Sequence, residues 1–441
     1  MEISSEQKKA AQAERGISLV IAGAGTGKTT TMIEKIVNCI NAGLTSPEKI
    51  LLLTFSRKAA QEIRERVEKR MGCKCNIGFS GTFHAFCLSV LRQYSDEYLR
   101  FKGFESFPKL LQEDEKNKLA TDLAMERKAK FKGIPIDALL QIADSLDNLN
   151  DYMTERLKKT SLFDEISLLR FEILEYKKRN NLIEFEDMVN DTIALLKENQ
   201  AIRQELIDRF NYIFVDEFQD TSHNNFELIN IMLPEKGKNL FMVGDDFQSI
   251  YKFRGAHVSY FINIKKFLPE AKIFMLVTNY RSKKEIVSIS NKFIRHNKNQ
   301  TKKKIKSHRG KGGVVSFHKC ENALEEIDII KKIISDYGSS AEIAVLYRNN
   351  FQGEFIEKNV KCNDNVKFMT MHSSKGLEFD IVIIAGVNDK IIPDKGSDIE
   401  EERRLFYVAL TRAKNNLHII YQSSSTGRLP RFIAESGYKG I

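Results

Sequence analysis

Residues 23–31, GAGTGKTTT, set a lysine and a run of hydroxyls directly behind a glycine loop. The apolar run SLVIA (18–22) precedes them and the helical pattern MIEKIVNCI follows. Strand, glycine loop and helix in that order form a cradle for phosphate. The glycines let backbone N–H groups turn inward around phosphate oxygens, and the helix N-terminus favours the anion. In such a loop, built here from Ala22, Gly23, Ala24, Gly25, Thr26 and Gly27, Lys28 reaches the β- and γ-phosphates of a nucleotide such as ATP. Thr29 offers its hydroxyl to Mg²⁺. Ala22 stands where the pattern ordinarily begins with glycine.

A second stretch supplies the acids such a loop needs. In YIFVDEFQDTS (212–222) an apolar run breaks abruptly into Asp216-Glu217-Phe218-Gln219-Asp220. Asp216, at the tip of a strand, suits the metal, directly or through water. Glu217 suits a general base that orients the attacking water. Gln219 and Asp220 are surplus to that chemistry and are expected to do something further.

Several strands must hold these groups in place. SLVIA (18–22), ILLLTF (50–55), YIFVD (212–216), LFMVG (240–244) and IFMLV (273–277) read as one buried set. VVSFH (314–318), IAVLY (343–347), VKFMT (366–370) and IVIIA (381–385) read as another. Each is nearly continuous in apolar residues, as parallel strands covered on both faces are. The expected fold is α/β with two parallel-sheet units. Between residues 90 and 211 charged amphipathic segments replace the strand signals, which predicts a mostly helical insertion in the first unit.

The chain has 441 residues, enough for two or three domains. Its 42% hydrophobic and 29% charged residues fit an ordinary soluble globular protein rather than a disordered or fibrous one. The formal charge of +10 suits a polyanionic partner such as nucleic acid. The densest basic run, KNQTKKKIKSHRGKGG (298–313), reads as a solvated loop before a strand. The six cysteines lack zinc spacing and read as reduced thiols. The N-terminal MEISSEQKKAAQ is no signal peptide, and no apolar run nears the roughly 18 residues of a membrane span. A cytoplasmic protein with no membrane partner is expected.

The motifs together resemble the UvrD/Rep type of superfamily 1 helicase. EQKKAA (6–11) resembles that family's Q motif, AGAGTGKT (22–29) its motif I, LTFSRKAA (53–60) Ia and GTFHAF (81–86) Ib. VDEFQDTS (215–222) resembles motif II, VGDDFQSIYKFRGA (243–256) III and TNYRS (278–282) IV. TMHSSKGLEFD (370–380) resembles motif V and EERRLFYVALTRAK (401–414) motif VI, all in the family's order.

The resemblance implies two RecA-like P-loop motor domains, the first at 1–89 and 186–277, the second at 278–441, with the helical insertion at 90–185. It implies that Gln7 reads the adenine edge, that Tyr280 stacks on the base and that Glu378 contacts the ribose. Thr30 stands where many relatives carry an arginine over the other adenine face, which implies looser base specificity. Gln248 would sense the γ-phosphate or its water. Arg281 and Arg412 would act as arginine fingers, a contribution of about 10³–10⁵ in rate in such enzymes.

On the nucleic-acid side, Phe55, Tyr251 and Phe253 would stack on bases, with core packing as the alternative for these aromatics. His84, Arg254, Thr370 and His372 would contact bases or backbone. Phe253 occupies a position where the family usually has tryptophan, and this chain has none. The family's accessory insertion of the second motor domain is reduced here to KCNDN (361–365), and no nuclease domain is expected after motif VI.

The implied activity is ATP-driven 3′–5′ translocation on single-stranded DNA with separation of tailed duplex DNA. The alternative is a motor subunit of a repair or anti-phage complex that needs a nuclease or other partner. A nucleotide-switched DNA-binding module fits the intact Lys28, Glu217, Gln248, Arg281 and Arg412 poorly. A small-molecule kinase would have no use for motifs III to VI.

Overall fold

The computed structural model describes residues 3–125, 131, 134–146, 155, 157–158, 160, 162–361, 363–394, 396–423 and 427–439. Parts of the expected helical insertion, among them 126–130 and 147–154, and Cys362 of the expected short loop lie outside the described residues. The chain forms two compact units, residues 1–82 with 206–441 and residues 83–205.

In chain order the strands are β1 (Ile17–Ala22), β2 (Ile50–Thr54), β3 (Phe79–Thr82), β4 (Lys109–Leu110), β5 (Leu182–Ile183), β6 (Tyr212–Val215), β7 (Leu240–Gly244), β8 (Lys272–Leu276), β9 (Thr278–Asn279), β10 (Lys306–Ser307), β11 (Val314–Cys320), β12 (Ile343–Tyr347), β13 (Val366–Thr370), β14 (Phe379–Val387) and β15 (Ala413–Gln422). The larger unit holds two main sheets in which every pairing is parallel, and the two-stranded parallel pair β9–β10. One main sheet has six strands in the order β3-β2-β6-β7-β1-β8, the other five in the order β11-β15-β14-β12-β13. The apolar runs behave as their composition requires: β1, β2, β6, β7 and β12 are buried at every position. Helices cover the faces, and β1 is followed by α2 (Lys28–Asn41) and β2 by α3 (Arg57–Met71). Ser56 caps α3 through its hydroxyl, which accepts from the Ala59 N–H, and Gly72 ends it at φ 74°.

Strand order fixes the site. The chain leaves β1 into the glycine loop, β6 into Asp216-Glu217 and β7 into Asp245-Asp246. Because β7 lies between β1 and β6, all three loops emerge side by side at the carboxyl edge of one sheet, where ligands of such sheets bind. The five-stranded sheet has its own cores, among them one of Ile330, Ile343, Val345, Ile381, Ile383 and Ile420.

The smaller unit is helical, as the loss of strand signal predicts, apart from the two-residue pair β4–β5. Its core includes Ala120, Leu139, Ala143, Ile166, Leu169 and Ile173. Lys177, 9% exposed, is held by Glu184 at 2.9 Å and Asp187 at 2.5 Å, so its buried ammonium is paired. Among the described residues no helix is long and apolar enough to cross a membrane. The five described cysteines are free thiols.

Candidate nucleotide and nucleic-acid sites

The glycine loop turns where glycine is needed, with φ at 68° for Gly25 and 82° for Gly27. Thr26 closes the turn, its hydroxyl donating to the Gly23 carbonyl at 2.9 Å. Gln7, on the first helix (Ser5–Ala11), lies buried against this loop and donates to the Thr26 carbonyl at 2.9 Å. Its amide oxygen accepts from the Ser4 N–H at 2.9 Å as half of a capping box. The position of the family's arginine, Thr30, accepts instead from Arg66 of α3 at 3.0 Å.

Lys28, 13% exposed, meets Glu217 at 3.1 Å and 3.2 Å through the two carboxylate oxygens. The backbone of Glu217 is left-handed, φ 50° and ψ 40°, which aims the side chain back toward the loop. Burial pushes the Glu217 carboxyl up, but Lys28, Lys375 and the Gln219 amide hold it down, at about 2. Asp216 goes the other way, raised to about 7 by burial and then by the neighbouring Glu217 charge. Its Oδ1 is buried with no hydrogen-bond partner. Two adjacent carboxyls pushed apart in this manner divide the labour of acid–base sites. An unpartnered buried carboxylate oxygen also suits a hard divalent cation, which takes one or two protein ligands and otherwise phosphates and water. Among the described residues no cluster of three or more His, Cys, Asp or Glu side chains forms a metal site by itself.

The surplus pair of motif residues has work of its own. Gln219 donates to Glu217 Oε2 at 2.5 Å and to Asp220 Oδ2 at 3.1 Å, while its oxygen accepts from the Asp245 N–H at 2.8 Å. Asp220 receives the Lys375 ammonium, which also donates to the Gln248 carbonyl at 2.9 Å. Lys375 was not singled out in the sequence. It sits in HSSKG, where a lone lysine among serines carries no burial signal.

From the elements around the second sheet, Arg412 enters with 1% exposure and donates to Gln248 Oε1 at 3.0 Å. It also donates to the Val408 and Leu377 carbonyls and to the Thr411 hydroxyl. Burial and then Arg281 lower its guanidinium to about 9. Arg281 pairs with Glu378 at 2.7 Å and donates to the Thr411 carbonyl at 3.2 Å. Tyr280, 37% exposed, stands against His308 with ring centroids 4.9 Å apart, and its N–H donates to the Gly25 carbonyl at 2.8 Å. Lys28, Glu217, Gln248 and Arg412, expected from four separate motifs, are therefore joined through Gln219 and Asp245 into one bonded constellation, with Asp216 next to Glu217 in the chain.

A second group of predicted residues converges elsewhere in the same unit. Tyr251 lies under Lys375 at 4.6 Å and Arg254 at 5.4 Å. Phe253 projects with 63% exposure, edge-on to His372 at 5.9 Å. Beside them lies a cavity of about 290 Å³ whose wall includes Phe253, His372, Arg348 and Glu402. Arg348 forks onto Glu402 at 2.8 Å and 3.2 Å. Burial and the positive Arg348, Arg254 and Lys375 push the His372 imidazole down to about 4, so it is neutral at physiological pH. Phe55 is half-buried just past β2, and Thr370 ends β13 with its hydroxyl 2.9 Å from that of Ser373. His84 belongs to the smaller unit, where it meets Phe185 edge-on at 5.6 Å.

The basic run 298–313 departs from its expected solvated state. Lys302, Lys304 and Lys306 are exposed, but the Lys303 side chain is wholly out of solvent, bonded to Asp245 and Asp246. Counting charge along a run misses this because the two partners lie 57 and 58 residues away.

A glycine loop after a buried parallel strand, facing carboxylates from the tips of neighbouring strands, defines a P-loop α/β protein. The sequence model of the UvrD/REP helicase N-terminal domain matches residues 3–269, and that of the UvrD-like helicase C-terminal domain matches 274–363 and 354–424. The chain belongs to the UvrD/Rep helicase family, whose fold is the two-motor, RecA-like P-loop arrangement. It is similar to the ATP-dependent DNA helicase PcrA of Staphylococcus epidermidis, with 29% identity over 402 residues, and to that of Staphylococcus aureus, with 29% over 404. Each match covers 88% of this chain and 54% of the relative, so the chain spans about half the length of these relatives.

Proposed function

We propose that this chain is a DNA-stimulated ATPase that moves 3′ to 5′ on single-stranded DNA and separates tailed duplexes. The observation that carries this reading is the bond from Arg412 to Gln248, which ties a guanidinium of the last motif to the loop after β7 beside Lys28 and Glu217. Guanidinium groups brought to a developing phosphoryl charge make hydrolysis depend on closure, and closure is what turns hydrolysis into movement. The motor domains are assigned to 1–89 with 186–277 and to 278–441, around the insertion 90–185. The polarity rests on family resemblance.

In this reading the ATP polyphosphate competes with Glu217 for Lys28. Once Lys28 turns to phosphate, Glu217 is free to take a proton from water. Gln248 orients that water, and Arg281 leaves Glu378 for the phosphoryl oxygens. Gln7, Tyr280 and Glu378 hold the nucleoside. Thr29 and Asp216 would hold Mg²⁺, which when bound neutralises charge on the β- and γ-phosphates. Tyr251, Phe253, Arg254 and His372, with Phe55 and Thr370, form the DNA path, and His84 of the smaller unit is a separate DNA contact. Lys375 bonds Asp220 and lies over Tyr251, so it links the nucleotide groups to the DNA-stacking ring.

The test uses the purified chain with ATP and Mg²⁺ on duplexes bearing a 3′ or a 5′ single-stranded tail. Separation from the 3′ tail alone is expected. Separation from the 5′ tail alone overturns the polarity. No hydrolysis stimulated by single strands overturns the reading altogether. A second reading, a motor that waits for a nuclease or repair partner, is favoured by the short connection from Asn359 to β13 at Val366 where relatives are expected to carry an accessory insertion. Stimulated hydrolysis with no strand separation from either tail selects it.

Phe253→Ala tests the DNA path. One lost stacking platform costs about 1–3 kcal/mol per base. Stimulated ATP hydrolysis at limiting DNA is therefore expected to drop about tenfold or more, with basal hydrolysis unchanged within about twofold. Equal loss of both would assign Phe253 to packing.

A further inference from the structure

The one lysine of the basic run that is hidden from solvent is placed where it governs the nucleotide site. Its ammonium lies 2.7 Å from Asp245 Oδ1, 2.5 Å from Asp246 Oδ1 and 4.0 Å from the centroid of the Phe247 ring. All three charged side chains have 0% exposure. A cation withdrawn from water this completely persists only with close counter-charges, and two carboxylates and an aromatic face supply them.

The two aspartates are held differently. Asp246 also accepts from the Thr301 N–H at 2.7 Å and hydroxyl at 2.6 Å, which anchors the segment carrying Lys303. Asp245 faces the site. Its Oδ2 accepts from the Gln248 amide, and its N–H donates to Gln219, which in turn donates to Glu217. The other end of the Gln248 amide accepts from Arg412. Bonded chains thus run from Lys303 through Asp245 to Gln248 and Arg412, and through Gln219 to Glu217. A second contact of the same segment points the same way. Ile305 roofs the phosphate loop so closely that a Cβ on Gly23 would lie 2.2 Å from its Cδ1.

We propose that Lys303 is a positioning residue for ATP hydrolysis: its ammonium fixes the Asp245 carboxylate, and Asp245 fixes the orientation of the Gln248 side-chain amide that faces Arg412. This rests on the reading of Gln248 as the group that orients the attacking water. With Asp245 Oδ2 accepting, the amide must present its oxygen to Arg412. Without the ammonium, Asp245 is free to rotate and the amide is free to turn over.

Lys303→Met keeps most of the side-chain length and removes the charge. With saturating single-stranded DNA, kcat for ATP hydrolysis is expected to fall about 10- to 100-fold, since a displacement of about 1 Å at a reacting group costs up to about 10²-fold. The Kd for a fluorescent ATP analogue is expected to stay within about threefold. Gln248→Ala serves as the reference, and Lys303→Met/Gln248→Ala is expected to be no slower than Gln248→Ala alone, because residues acting through one group are not additive.

Three results overturn the proposal in distinguishable ways. Lys303→Met turning over at the parental rate while Gln248→Ala is slow removes Lys303 from the mechanism and leaves the nucleotide reading intact. Multiplied losses in the double variant mean that Lys303 acts by another route. Normal turnover by Gln248→Ala removes the reading on which the proposal stands. If Lys303→Met no longer melts cooperatively, Lys303→Met/Asp246→Asn removes one charge of each sign from the buried group of three. The same split between kcat and Kd then decides the question in that background.

Discussion

Glu217→Gln is expected to bind ATP at least as tightly as the parent protein and to hydrolyse it about 10²–10⁴-fold more slowly, the range a general base contributes. Glu217 is an ionised carboxylate whose hydrogen bond from Gln219 glutamine could still accept. Burial alone would raise it, yet Lys28, Lys375 and Gln219 hold it at about 2, so it is a carboxylate under all working conditions. Glutamine has the same reach and its amide oxygen can still accept from Gln219, so the turn after β6 is retained. Only the charge and the proton-accepting capacity go. Lys28 then loses an ion-pair partner and is more available to phosphate, so affinity has no reason to fall. Equilibrium titration with a fluorescent ATP analogue, run beside phosphate release, separates the two quantities. Normal phosphate release from the variant would place the base elsewhere.

Lys28→Ala is expected to fail earlier, at binding, with ATP turnover lowered about 10³-fold or more. One interaction with a developing charge typically accounts for about 10²–10³ in rate. Here a further loss adds to it, because Lys28 balances an acidic cluster. Burial disfavours its charged form, but the Glu217, Asp245 and Asp216 charges outweigh that and raise it. Without the ammonium, the loop faces those carboxylates unscreened and repels a polyphosphate. The titration should show weakened nucleotide binding, unlike Glu217→Gln, while thermal unfolding shows a folded protein. Full turnover would refute the assignment of residues 22–29 as the phosphate loop.

What was legible in the sequence was local. Apolar runs marked nine of the strands within a residue or two at their ends, but the expectation that all nine are buried fails for β8, β11 and β13, which stand at sheet edges and are partly exposed. The two strands of the main sheets that escaped notice lack such runs. β3 is FSGT, and β15 opens with Ala-Lys-Asn-Asn directly behind a helix, so its buried LHIIY half follows a polar lead. The phosphate loop was legible because glycine spacing and a following lysine carry its backbone geometry. The supporting bonds were not. Lys303 to Asp245, Arg66 to Thr30 and Lys375 to Asp220 join residues 36 to 155 apart, and charge in a linear run says nothing about which member is folded inward. Gln219 and Asp220 were recognised as surplus to the chemistry, but only the fold shows that they join Glu217 to the loop after β7 and to Lys375.

The left-handed backbone at Glu217 carries a consequence for how this position can vary. For a residue with a side chain, φ 50° costs roughly 1–2 kcal/mol, whereas glycine adopts it freely and asparagine nearly so. Sorted by resistance to heat, a library of all twenty residues at 217 would put glycine and asparagine near the top. Sorted by turnover, it would put both near the bottom and glutamate first. Drift under relaxed selection therefore has a direction at this site, toward a sturdier protein that no longer spends nucleotide.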